Sequence, residues 1–188
     1  MIKHPDGTAI TNDLLNASGI HKSASILDLG AGDGDSVRLL RSLGFNAEGI
    51  DLSPGSGIIS GDITSLPFVD ESFDAALAEC TFSVCGDAAG AFREARRVLS
   101  PSGLLMLSDV YYKAENAPAL SLPCPATKDG WIKSAVGFEL LYFADRTDVW
   151  TDYIIDCVWH GKDIGDCGFY KAAAKSKCGY FISVWKKV

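Results

Sequence analysis

Short apolar runs alternate with amphipathic stretches along most of this 188-residue chain. The apolar runs have the length of buried strands, and the amphipathic stretches have the spacing of surface helices. Strands that alternate with helices predict an α/β fold with a doubly wound, mostly parallel sheet. The predicted strands are 26–29, 46–51, 57–62, 73–78, 104–108, 138–143 and 180–185. The predicted helices are 9–17, a helix that ends at Gly44, 87–99 and 148–159.

The first predicted strand leads into a glycine-rich turn that the rest of the chain is organised around. Glycines stand at Gly30, Gly32 and Gly34, and an amphipathic helix follows at once. Glycine lets the backbone turn tightly and approach a ligand closely, and the first N–H groups of the helix then point towards that ligand. This arrangement predicts a cofactor-binding edge.

The connection after the second strand is unusually short. Only residues 52–56 separate Asp51 from the third predicted strand, whereas a parallel crossover normally takes a dozen residues or more and includes a helix. The helix expected here is therefore missing or shortened. We predict that residues 55–57 are mobile without ligand, and that a partner chain or the N-terminal helix covers the thin face of the sheet.

Charge and cysteine content narrow the functional class. The formal charge of −7 argues against a nucleic-acid partner, which calls for a basic face. The six cysteines contain no CxxC pair and match no zinc spacing, so no metal site is predicted. No signal peptide or membrane-spanning run is visible, which favours a cytoplasmic protein with free thiols and no membrane partner.

Two kinds of cofactor suit the glycine turn. A nicotinamide or flavin site prefers G-x-G-x-x-G, but here the third glycine comes one position early. Asp28 lies in the strand directly before the turn, where a carboxylate would repel a pyrophosphate and attract an ammonium group. Asp51 ends the second strand and suits the ribose of either cofactor.

Four motifs together resemble the class I S-adenosylmethionine-dependent methyltransferases. They occur in the order of that family over residues 24–110, and they are most similar to the branch of ubiquinone/menaquinone biosynthesis and other small-molecule enzymes (methyltransferase type 11). The motifs are 27–34, 49–54, 61–74 and 96–105.

The resemblance implies the architecture of the whole chain. It gives a Rossmann-like seven-stranded sheet in the order 3-2-1-4-5-7-6, with the last strand antiparallel. One domain would cover residues 1–188. Its parts would be an N-terminal helix (1–23), a cofactor-binding core (24–112) and an acceptor side with the C-terminal strands (113–188).

The resemblance also implies S-adenosylmethionine as cofactor, with S-adenosylhomocysteine as its product. The glycine turn would hold the methionine part with Asp28 near its amino group, Asp51 would bind the ribose, and residues after the second and third strands would surround the adenine. The end of the fourth strand would lie where methionine meets acceptor. The expected cofactor-binding residues are Asp28, Gly30, Ala31, Gly32, Gly34, Asp51, Leu52, Asp62, Ile63, Glu79 and Cys80.

Methyl transfer from a sulfonium depends mainly on positioning, and a general base is needed only for an acceptor that must lose a proton. A compact or partner-presented acceptor is expected rather than a bulky polymer, because little chain lies beyond the basic fold. The cysteines also leave a thiophilic acceptor such as arsenite open. The candidate bases are Glu79, Asp109, Tyr111 and His160. The aromatic candidates for an acceptor pocket are Phe82, Tyr111, Tyr112, Trp131, Trp150 and Trp159.

The sequence thus predicts a methyltransferase that uses S-adenosylmethionine and acts on an unidentified small molecule. Two alternatives stay open at this point: an NAD-dependent oxidoreductase, and a non-catalytic protein that binds S-adenosylmethionine, for example as a scaffold. A homodimer or a pathway partner is also left open.

Overall fold

The computed structural model describes residues 5–113, 127–159 and 178–188, with side chains up to residue 156 in the middle segment. Seven strands form one sheet in the order β3-β2-β1-β4-β5-β7-β6. β7 runs antiparallel to both of its neighbours, and the remaining pairs are parallel. The predicted fold class and strand order are confirmed. The strands are β1 (Ser25–Leu29), β2 (Asn46–Asp51), β3 (Ile59–Ser60), β4 (Phe73–Glu79), β5 (Leu99–Tyr112), β6 (Phe138–Asp145) and β7 (Cys178–Lys187).

Helices cover both faces of the sheet. The first ends at Gly19, which adopts the left-handed conformation that commonly closes a helix. The third begins at Asp87, whose carboxylate accepts the N–H of Gly90 at 2.8 Å, as an N-cap side chain does. Within the described residues, each helix is too short to cross a bilayer. The helices are α1 (Thr8–Ser18), α2 (Asp35–Ser42), α3 (Ala88–Val98), α4 (Lys128–Ser134) and α5 (Thr147–Trp159).

The apolar side chains form two cores, one on each side of the sheet. On one side, Leu14 of α1, Leu40 of α2 and Trp150 of α5 pack together. On the other, Phe92 of α3 and Trp131 of α4 pack edge to face at 6.3 Å. Burial of strands on both faces explains their continuous apolar runs. The two cores hold the carboxyl ends of β1, β4 and β5 in fixed positions.

Two boundaries differ from the sequence-based prediction. Residues 100–103 lie between the predicted helix 87–99 and the predicted strand 104–108, and their composition predicts a turn. In the structure they form a bulge inside β5: β4 pairs Phe73 with Leu99 and then Ala75 with Leu104, and Ser102 takes a positive φ of 63°. Pairing with β4 therefore resumes after an interruption that contains proline and glycine. The third strand has only two residues, and the helix α4 was not predicted.

The predicted loss of the helix after β2 is confirmed: residues 52–58 connect β2 directly to β3. The loop covers this part of the sheet itself, because the Ile58 side chain lies within 3.0 Å of the place where a Cβ of Gly49 would stand. The N-terminal helix does not cover it, since α1 packs on β5, β7 and α2. Cover by a partner chain and mobility of residues 55–57 stay predictions.

Candidate cofactor site

A cavity of about 490 Å³ opens at the carboxyl ends of β1, β2, β4 and β5. β1 and β4 are neighbours in the sheet, and the chain continues outward from them in opposite directions. This is the crevice where open α/β sheets bind ligands. The loops after these four strands and the start of α1 form its wall.

The glycine turn is anchored to β2. The N–H groups of Gly30 and Ala31 donate to the carbonyl oxygen of Ile50 at 2.8 and 3.1 Å. Gly30 has a φ of 83°, and a Cβ there would stand 2.3 Å from the Oγ1 atom of Thr81. The turn can therefore follow this path only with glycine at position 30.

Asp51 links the turn to the loop after β2. Its Oδ2 atom accepts the N–H of Gly32 at 2.9 Å, and its Oδ1 atom accepts the N–H of Ser53 at 2.8 Å. Each carboxylate oxygen has a second lone pair. Asp51 can therefore accept hydroxyl groups of a ligand while it holds both loops.

The outer end of the cavity combines an apolar rim with one carboxylate. The Leu52 side chain is 71% exposed at the rim, and Ile63 is buried beside it. Asp62 accepts the N–H and the hydroxyl of Thr64 through Oδ1, and these bonds lower its pKa. Its Oδ2 atom remains to accept from a ligand amino group.

Asp28 is a buried carboxyl group without a hydrogen-bond donor in the described chain. It lines the cavity, is 3% exposed and stands near two other carboxylates, Glu79 and Asp51. Burial, and then the negative charges of these neighbours, raise its pKa well above the usual value. A buried polar group of this kind calls for a partner, and the described residues do not supply one.

Glu79, in contrast, is held by two hydroxyl groups. Thr11 of α1 donates to its carboxylate at 3.0 Å, and Ser36 of α2 donates at 2.7 Å. Both donors are buried. The N-terminal helix is thereby connected to the cavity through a side chain at the end of β4.

The end of the cavity between β4 and β5 has a different lining. Cys80 takes a positive φ of 54°, and its thiol donates to the hydroxyl of Tyr180 at 3.5 Å, which donates to Ser108 at 2.9 Å. Burial raises the pKa of the Cys80 thiol well above its usual range, so the sulfur stays protonated at neutral pH. Val84, Cys85 and Trp150 complete this wall.

Asp109 lies fully buried at the carboxyl end of β5 and also lines the cavity. Its oxygens accept the N–H groups of Ser83 at 2.9 Å and of Val110 at 2.7 Å. Burial raises its pKa to about 6. Asp109 therefore fixes the loop after β4 and titrates close to neutral pH.

Most predicted site residues lie around this one cavity. Gly34 does not line it: Gly34 is the left-handed N-cap of α2 and lies against Ile58. The predicted cofactor-binding residues that do line it are Asp28, Gly30, Ala31, Gly32, Asp51, Leu52, Asp62, Ile63, Glu79 and Cys80.

Only some of the candidate bases and aromatic residues line the cavity. Glu79 and Asp109 line the cavity, whereas Tyr111 donates to Asp145 at 2.8 Å and is not among the lining residues. Phe82 and Trp131 belong to the buried core, and Trp150 alone of the described aromatic candidates lines the cavity. His160 and the side chain of Trp159 lie outside the described residues, as do the side chains of Cys157 and Cys167.

Sequence reasoning missed the residues that α1 and α2 bring to the site. Thr11 and Ser36 are isolated hydroxyl residues on helices, and nothing in their local pattern marks them. The signal would have been that both interrupt an apolar helix face, since a buried hydroxyl needs a partner.

The strand order and the position of the cavity define the class: a Rossmann-like α/β fold with a ligand crevice at the switch point of the sheet. Residues 27–107 match the family model described as "Methyltransferase domain". The resemblance predicted from the motifs is confirmed for this segment.

Comparisons with individual proteins agree with this family match. Over 93 residues, 45% of this chain, the sequence is 34% identical to demethylmenaquinone methyltransferase of Corynebacterium kroppenstedtii, and the match spans 41% of that relative's length. The [4+2]-cyclase SpnF has a TM-score of 0.78 at 22% identity, over 100% of this chain and 87% of that one. Geranyl diphosphate C-methyltransferase of Streptomyces coelicolor, solved with S-adenosylhomocysteine, has a TM-score of 0.77 at 16% identity. The match covers 96% of this chain and 80% of that one. At these identities the structures show the fold, and a cyclase among them means that activity must be argued from the site.

Proposed function

We propose that this protein is an S-adenosylmethionine-dependent methyltransferase that acts on a small molecule. The observation that carries the proposal is the convergence of Asp28, Asp51 and Glu79, from the ends of three strands, on one cavity beside the glycine turn. The family match over this segment supports it.

The cavity suits a cationic nucleoside. The carboxyl groups of Asp28 and Glu79 lie where an ammonium group would bind, and Asp51 has acceptor capacity for ribose hydroxyls. Leu52 and Ile63 offer apolar surface to a purine. In this proposal Asp62 accepts the adenine amino group.

The bound cofactor would supply an activated methyl group. The work of the chain is then to align an acceptor with it, which can accelerate the reaction strongly without further chemistry. The wall formed by Cys80, Val84, Cys85 and Trp150 would enclose a compact acceptor and exclude water. Asp109 is the base at this end for an acceptor that must lose a proton.

Charge disfavours the NAD alternative. The described lining contains no Lys, Arg or His, and a pyrophosphate beside the glycine turn would stand next to Asp28. The described acidic lining supplies no cation that would neutralise the pyrophosphate. We also place the protein in the cytoplasm, since Cys80 and Cys178 are thiols outside any disulfide.

Calorimetric titration of the purified chain with S-adenosylhomocysteine and, separately, with NAD⁺ tests the cofactor. We expect binding of the first ligand only; binding of NAD⁺ alone would overturn the proposal. Product release from S-adenosylmethionine is then followed across pools of small thiols, amines and phenols. Tight binding without turnover in any pool would favour the non-catalytic alternative.

A further inference from the structure

Two buried carboxyl groups at the inner end of the cavity have opposite hydrogen-bonding environments. Glu79 accepts hydroxyl groups from two helices, whereas Asp28 has no donor in the described chain. A carboxylate that accepts donors is stabilised in its charged form, and a buried one without donors is destabilised in that form. The structure therefore assigns different roles to the two groups.

We propose that Thr11 and Ser36 fix the position of the Glu79 carboxylate beside Asp28, and that Asp28 gives up a proton when the cationic cofactor enters. This inference rests on the proposed function. In chemical terms, the Asp28 O–H bond breaks, the proton passes to solvent buffer, and the new carboxylate pairs with the ammonium group of the ligand.

The described charged groups that act on Asp28 have the same sign as its carboxylate. Glu79 comes from β4, Asp51 from β2, and each raises the pKa of Asp28 after the larger effect of burial. Arg38 of α2 is engaged outside the cavity with Asp35 and the carbonyl oxygen of Asp33. The other carboxylates of the described lining are Asp33, Asp35, Asp62 and Asp109.

The sign of the pH effect follows from linkage. Above the pKa of Asp28 in the empty site the group is already ionised, and the cofactor binds with its full affinity. Below that pKa, binding must release a proton, so the affinity falls by up to tenfold for each pH unit. The fall ends below the pKa that Asp28 has in the loaded site.

The test is titration calorimetry with S-adenosylhomocysteine over the pH range in which the chain stays folded, each pH in two buffers of different ionisation enthalpy. The wild type should release a proton, up to one per ligand, and its affinity should fall at the acid side. Asp28→Asn should abolish both effects. Asp33→Asn, an exposed acid of the same cavity wall, is the matched control and should retain them.

The role of Thr11 is tested through the same pH profile. Thr11→Val keeps the shape and removes one of the two donors that fix Glu79. The Glu79 carboxylate can then move relative to Asp28, so the acid-side fall in affinity should move to a different pH. Thr11→Ser restores the hydroxyl and should restore the profile. A change in thermal stability alone, with an unchanged profile, would show that Thr11 is merely structural.

The outcomes separate the two proposals. If S-adenosylhomocysteine does not bind, the proposed function fails. If it binds without proton release at every pH, or if Asp28→Asn still releases the proton, the function stands and this inference is overturned.

Discussion

The two ends of the cavity are built on different principles. Around β1 and β2 the wall is backbone, glycine and carboxylate, and Asp51 fixes two loops at once. Around β4 and β5 it is thiol, aromatic ring and aliphatic side chain, supported by the buried Cys80–Tyr180–Ser108 chain. The backbone geometry of the β1–β2 end restricts the kind of ligand that can bind there. At the β4–β5 end, an exchange of side chains can change the kind of ligand without a change of backbone.

The largest effect is expected from a side chain added to the glycine turn after β1. Gly30→Ala adds a Cβ 2.3 Å from Thr81 Oγ1 and at a φ of 83°, so strain and overpacking should cost about 2–4 kcal/mol. Denaturant unfolding should show this loss, and calorimetry should show loss of S-adenosylhomocysteine binding.

Gly57→Ala is the matched control. Gly57 also has a positive φ, 80°, but nothing lies within 4 Å of its added Cβ. It should lose only about 1–2 kcal/mol, the left-handed backbone cost. Equal losses for both variants would mean that contact with Thr81 has no role.

A pH effect is expected at the β5 end. The pKa of Asp109 is raised to about 6 in the folded chain, so the folded state holds a proton that the unfolded state releases near pH 4. As pH rises from about 4 to 6, Asp109 therefore lowers the free energy of unfolding, by about 3 kcal/mol in full. Asp109→Asn should remove this slope.

The measurement is denaturant unfolding of wild type and variant at several pH values. Loss of one acceptor for the N–H groups of Ser83 and Val110 shifts the Asp109→Asn curve at every pH. The pH-dependent difference isolates the titration. Parallel curves from about pH 4 to 7 would contradict the assignment.

A change confined to the cofactor end sharpens the comparison. Asp51→Ala removes the acceptor that we assign to the ribose, and S-adenosylhomocysteine affinity should fall by about 10- to 100-fold, as for hydrogen bonds to a charged group. Glu48→Ala on the same strand, exposed to solvent, should leave the affinity within about twofold. An Asp51→Ala affinity equal to that of wild type would refute the ribose assignment.

The smallest effect is expected from the hydrogen bonds that support the β4–β5 end of the cavity. Tyr180→Phe removes the hydroxyl between Cys80 and Ser108. The free energy of unfolding should therefore fall by about 1 kcal/mol. Cofactor affinity should stay within about twofold of wild type. Tyr142→Phe, at a half-exposed ring on β6, is the control for stability. A large loss of cofactor affinity in Tyr180→Phe would show that the two ends are not independent.

The two ends were also unequally visible in the sequence. The turn after β1, Asp51 and Glu79 follow apolar strands directly, so their meeting at one edge of the sheet followed from parallel strand order. The loop after β2 was predicted correctly because its length excludes a helix.

The remainder depends on contacts between distant parts of the chain. Thr11 reaches Glu79 across 68 positions, and Cys80 reaches Tyr180 across 100. No local pattern encodes such pairs. Residues 100–103 show the same dependence, since pairing of Leu99 and of Leu104 with β4 on either side makes the predicted turn a bulge within β5.

The short loop after β2 does more than replace a helix. Gly55 donates its N–H to the carbonyl oxygen of Gly32 at 2.8 Å, and a Cβ at Gly55 would stand 2.9 Å from the backbone of Asp33. Ile58 is wedged beneath both segments. The loop after β2 and the glycine turn are therefore held together as one unit. A longer loop grafted at this place would loosen both walls of the crevice at the same time.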